Sequence, residues 1–94
     1  MTLYPAGGKF LSLIYKLAGK EKRPLVDLAL GWKEIVGRIL AERSSVTGLE
    51  RKVLKVAVEN NVWMQELILG KFRIIEAISQ RFRIKLTDIV FYIR

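Results

Sequence analysis

Two short basic clusters carry the clearest chemistry in this sequence. Arg51, Lys52 and Lys55 form one; Arg81, Arg83 and Lys85, at every second position, form the other. Cations gathered this way suit phosphates, whose neutralisation releases counterions and gives salt-dependent affinity. The whole chain leans the same way, with 17 Lys+Arg against 9 Asp+Glu and a net charge of +8 over 94 residues. The competing use of such charge is a solvated face that keeps a small apolar protein soluble. With an excess of this size, contact with nucleic acid is the favoured reading. A third group, Lys16, Lys20, Lys22 and Arg23, sits where helix ends and joints collect lysine anyway.

Other chemistries are poorly supplied. The chain has no Cys and no His, which removes disulfides, zinc sites and the usual nucleophiles and general base. Its carboxylates show no Asp-x-Asp pairing for metal ions, and no G-x-x-x-x-G-K loop is present for nucleotides. No enzyme, metal site or cofactor is therefore expected. Trp32 and Trp63 could stack bases, but both fall on apolar helical stripes and read first as core. Tyr15 and Tyr92 are better placed for exposure. Glu66 reads as a helix first-turn residue rather than a catalytic acid.

These groups need a scaffold, and 94 residues allow one domain with one modest core. At 51% hydrophobic residues the chain is too apolar for a disordered basic tail. No cleavage site follows the apolar run 10–18, and no stretch is long enough to cross a membrane. A cytoplasmic protein is expected.

Along the chain, Phe10, Leu13, Ile14 and Leu17 predict a helix over 9–18, ended at Gly19. After the charged joint 20–23, Pro24 opens a second helix striped by Leu28, Trp32, Ile35, Val36, Ile39 and Leu40. Gly37 falls inside that helix, where it suggests close approach of another backbone. Strands follow at 46–50 and 53–58 with a tight turn at Arg51-Lys52, the second pointing Leu54, Val56 and Val58 inward. Asn60-Asn61 then caps a long helix over 63–82. Lys71 lies within its apolar half, so either the helix bends at Gly70 or the lysine stem lies along the core. A last strand over 86–93 has apolar residues on both faces. The order is α-α-β-β-α-β: an α+β domain with a three-stranded sheet packed by helices, its hairpin antiparallel and its helix-linked pair parallel. Residues 1–23 form an N-terminal helix and joint, and 24–94 the core of a single 1–94 domain.

Several of these residues fall into a pattern. Trp32, Val36 and Gly37 precede Ile39-Leu40-Ala41; Leu54, Val56 and Val58 follow; then come Trp63, Glu66 and Leu67, and finally Ile89 and Phe91. This order resembles the DciA-like family, over roughly residues 25 to 94. The resemblance implies a KH-like fold and a bacterial, non-enzymatic role in helicase loading, with single-stranded DNA and the replicative helicase as partners. The chain lacks the G-x-x-G loop by which KH domains clamp a nucleic-acid backbone. It also ends directly after the last strand, where many family members carry a further tail.

Two other functions compete with that reading. One is a protein-interaction module, docking an acidic partner or forming a homodimer through surplus apolar surface. The other is an RNA-binding KH-like domain.

Overall fold

The computed structural model describes residues 23–94. The helix predicted over 9–18, with Tyr15, Lys16, Lys20 and Lys22, lies outside the described residues.

The predicted second helix is cut twice, into α1 (Arg23–Leu30), α2 (Trp32–Val36) and α3 (Arg38–Glu42). Two glycines make the cuts, for different reasons. Gly31 keeps an ordinary φ of −94°, but a Cβ there would stand 2.5 Å from the Phe82 ring. Gly37 has φ 93° and ψ 163°, a conformation reserved almost entirely for glycine. Nothing lies within 4 Å of where its Cβ would be. Close approach therefore belongs to Gly31, and Gly37 serves the backbone alone. The apolar stripe survives both breaks except at Ile39, which is 54% exposed. Leu28 and Trp32 are buried, and Ile35, Val36 and Leu40 pack against them.

Strand β1 (Ser44–Glu50) starts two residues earlier than the sequence predicts. Ser44, the one buried polar residue among those described, is the reason. Its hydroxyl accepts the Trp32 indole N–H at 2.9 Å and donates to the Leu40 carbonyl, so it enters the core fully bonded. Strand β2 (Val53–Val58) pairs antiparallel with β1, and β3 (Asp88–Ile93) pairs parallel with β2, giving the order β1-β2-β3. The mixed three-stranded sheet and its helices make an α+β fold, as expected.

Helix α4 (Asn61–Leu69) is capped by Asn60, whose side chain accepts from the Val62 and Trp63 amides. The predicted long helix breaks at Gly70, and Lys71 opens α5 (Lys71–Phe82). The break lets the partly buried Lys71 stem turn out and reach Asp88 Oδ1 at 3.0 Å. The core gathers Leu54, Val56 and Val58 from β2, Leu67, Ile74 and Ile78 from the helices, and Ile89 from β3. The predicted cover on both faces of the last strand fails on one side, where Val90 and Tyr92 are exposed.

Asp88 gives the fold an acid-sensitive contact. The hydrogen bond from Lys71, and after it that from the Ile89 amide, hold its carboxyl below the ordinary Asp value of 3.8. A depressed carboxyl stabilises above the unfolded-state value, and that contribution is lost as pH falls through the folded value. The melting temperatures of wild type and Asp88→Asn should therefore differ at neutral pH and converge on acidification below 3.8. A constant gap across that range would show that the Lys71 contact contributes nothing through charge.

Candidate nucleic-acid interface

Arg51 and Lys52 are the two central residues of the β1–β2 hairpin, with φ of 52° and 66°. A two-residue hairpin of the type that matches strand twist needs positive φ at both positions, and Asn-Gly is its usual sequence. Here the turn is built from two bulky cations. The third non-glycine residue with positive φ among those described is Arg83, at 57°, the left-handed cap that ends α5. So the structure's three strained side-chain-bearing positions are all basic, and all belong to the two clusters. Left-handed backbone costs about 1–2 kcal/mol for an L-residue.

The topology joins the clusters. Because β3 runs parallel to β2, its first residues lie beside the hairpin turn, with Asp88 opposite Val53. Thr87 fastens the two: its amide donates to the Lys52 carbonyl at 2.8 Å and its hydroxyl to the same oxygen at 3.2 Å. Between α5 and β3 the chain alternates. Ile84 packs against the core and Leu86 is buried, which turns Arg83 and Lys85 outward. That alternation is readable in Arg83-Ile84-Lys85-Leu86. The Thr87 clasp, which spans 35 residues of chain, is not.

The six predicted cations then divide. Lys55 projects from the open face of β2 and lies 3.9 Å from Glu50. Arg81 is turned to α2, where it meets the Glu34 carboxylate at 3.6 Å and its carbonyl at 3.2 Å. Arg51, Lys52, Arg83 and Lys85 are exposed and have no carboxylate within ion-pair distance among the described residues. Four cations, not all six, are therefore left without a carboxylate: two on the hairpin tip and two on the segment that leads to Thr87 at the same end of the sheet.

The aromatic candidates do not join them. Trp32 is 4% exposed and bonded to Ser44, a core residue. Trp63 is partly buried with the Arg43 guanidinium 5.6 Å above its ring, and Arg43 also pairs with Glu59 at 3.2 Å. With Val36, Ile39, Leu40 and Val62 it lines an open apolar trough of about 550 Å³ beside Gly37. Leu67, on the inner face of α4, is fully buried. Tyr92 is exposed on the sheet's open face, its hydroxyl donating to Thr47.

The class defined by this arrangement is a small α+β domain with a mixed three-stranded sheet. The chain matches the family described as Dna[CI] antecedent, DciA, over residues 9–91, and it belongs to that family. Family membership places it in DNA replication, in a role related to helicase loading. The match begins earlier than the motifs that first suggested it, at Lys9. No curated protein matches the chain.

Proposed function

We propose that this domain is a non-enzymatic adaptor of helicase loading that holds single-stranded DNA on Arg51, Lys52, Arg83 and Lys85, and contacts the replicative helicase. The observation that carries the DNA half is the gathering of these four unpaired cations at one end of the sheet, three of them on strained backbone. Strain kept at a functional position is a recognised pattern, and the inference runs here from the observed outliers to the function. Without a G-x-x-G clamp, the contact rests on charge, so recognition falls on the phosphate backbone and not on base identity. The helicase half rests on family membership.

The test is anisotropy of a labelled oligothymidine titrated with the protein over a salt series. Each phosphate contact to a single strand contributes a slope of roughly −0.7 in log affinity against log salt, so four contacts give about −3. Absence of binding at low salt, or a flat salt response, overturns the DNA half. Capture from a bacterial lysate with and without nuclease tests the other. The helicase should remain bound after nuclease; loss on digestion would mean tethering through nucleic acid and remove the direct contact.

A further inference from the structure

The two edges of the sheet are unlike. β1 is interrupted by a bulge between Val46 and Gly48 and ends on Glu50, devices that discourage pairing with another chain. β3 has no bulge, and its one charged residue, Asp88, stands at its start. From Ile89 to Ile93 it reads Ile-Val-Phe-Tyr-Ile, with no charge, proline, glycine or bulge. All five residues favour strands, and Val90, Tyr92 and Ile93 are each at least 40% exposed.

The backbone along this edge has donors and acceptors to offer. The Arg94 amide donates to the Val58 carbonyl at 3.1 Å, which sets the alternation. Residues 90, 92 and 94 turn their backbone groups to β2, and residues 89, 91 and 93 turn theirs outward. Ile89 bears this out, since its amide is bonded at 2.8 Å to the Asp88 carboxylate and not to a strand.

We propose that β3 pairs antiparallel with β3 of a second copy, Phe91 opposite Phe91, making one continuous six-stranded sheet about a two-fold axis. The occupant is identified by the strand's own sequence, which is self-complementary in this register. Asp88 falls opposite Arg94 of the second copy, so each end joins unlike charges. Ile89 meets Ile93 on the helix side, and Val90 meets Tyr92 on the open side, a β-branched residue against an aromatic. The outward-turned residues 89, 91 and 93 fall opposite one another, so the outward carbonyls and the Phe91 and Ile93 amides gain partners, while the Ile89 amide exchanges the Asp88 carboxylate for the Ile93 carbonyl of the second copy. Asp88 is able to join: Oδ1 takes Lys71 and the Ile89 amide, while Oδ2 has no partner among the described residues. Arg94 holds Ser45 at 3.1 Å through one nitrogen, and a guanidinium has donors to spare. The contact is isologous and closes on itself, which removes the open edge instead of propagating it. A single strand pair is a small interface, so self-association should be weak.

Sedimentation velocity over a micromolar to submillimolar range should show a reversible monomer–dimer equilibrium. Ile93→Lys, at a half-exposed position opposite Ile89, should leave a monomer with unchanged circular dichroism. Absence of native cysteine lets disulfide trapping read the register. A mixture of Val90→Cys and Tyr92→Cys chains should cross-link, because directly opposed Cα atoms in such a pair lie within disulfide reach. Neither variant should cross-link as readily by itself. A monomer throughout the range would assign the edge to some other occupant and overturn the proposal. So would a dimer indifferent to Ile93→Lys, or one in which either single-cysteine chain cross-links as well as the mixture.

Discussion

Replacing Arg51-Lys52 by Asn-Gly should make the protein more stable and a poorer ligand for single-stranded DNA. Both central residues of this turn have left-handed backbone, at φ 52° and 66°. Asn and Gly adopt that conformation at little cost, whereas Arg and Lys do not. Relief at the two positions should raise unfolding stability by about 2 kcal/mol, the lower end of a cost of about 1–2 kcal/mol per L-residue because asparagine keeps part of it. For a domain of this size each kcal/mol moves the melting temperature by roughly 4–8 °C. The same replacement deletes two of the four unpaired cations. At about 0.1 M salt two lost phosphate contacts, each worth about 0.7 in the salt slope, should weaken binding roughly 25-fold and lower that slope by about 1.4. Thermal melts and anisotropy on one preparation measure both quantities. Arg51→Ser/Lys52→Ser separates them, since it removes the charge without supplying the preferred turn residues: affinity should fall as far, and stability should rise less. If Asn-Gly binds as tightly as the native turn, the hairpin tip is not a phosphate contact.

The opposed signs explain why such a turn would persist. Aggregate charge at this end of the sheet requires side chains that the turn geometry disfavours, a trade between stability and function commonly met at binding sites. Arg83 repeats the pattern on a different element. It occupies the left-handed position closing α5, where glycine is the usual residue. Two independent elements thus accept an unfavourable backbone at a basic residue, and the Thr87 clasp ties the segment that follows one of them to the turn that carries the other.

Parts of this arrangement are legible in the sequence because they depend on local spacing. The alternation Leu54, Val56, Val58 marks a strand facing a core, and Arg51-Lys52 between two such runs marks the turn. Asn60 before an apolar helix marks the cap, and the helix between β2 and β3 marks their parallel pairing. Other parts depend on contacts between distant residues. The pairing of Arg81 with Glu34, across 47 residues, withdraws a cation from the cluster without leaving a local trace. Ser44 enters the core because Trp32 and the Leu40 carbonyl meet its hydroxyl there, so a residue that lies ahead of the predicted strand becomes the start of β1. The last strand is apolar on both faces, which reads as cover on both. Its open face carries Val90 and Tyr92 into solvent.

The sharpest separation between pattern and structure is at Gly37, where the two predict opposite signs for one substitution. Leu28, Trp32, Ile35, Val36, Ile39 and Leu40 keep helical spacing straight through this position. In a continuous helix Gly37→Ala should stabilise by about 1 kcal/mol, the difference in helix propensity. The observed φ of 93° with ψ 163° reverses that expectation. Alanine is strained there whatever the space around it, and a side chain forced into such a region costs of order 1–3 kcal/mol. The melting temperature of Gly37→Ala should therefore fall by several degrees. A clash with groups elsewhere in the fold is already excluded, since, the adjoining residues apart, no atom stands within 4 Å of the added methyl. D-alanine at position 37, installed by chemical ligation, provides the check on mechanism, because this φ and ψ are the mirror image of ordinary extended backbone. It should keep the melting temperature that L-alanine loses, whereas an equal loss in both would remove backbone strain as the cause. The consequence reaches the surface as well, because Gly37 fixes the angle at which α3 leaves α2 and so sets the wall of the trough between Ile39 and Trp63. If alanine instead raises the melting temperature, α2 and α3 form one helix in solution. Trp32, Val36 and Ile39 would then share a single straight stripe, and the trough would not take the shape described.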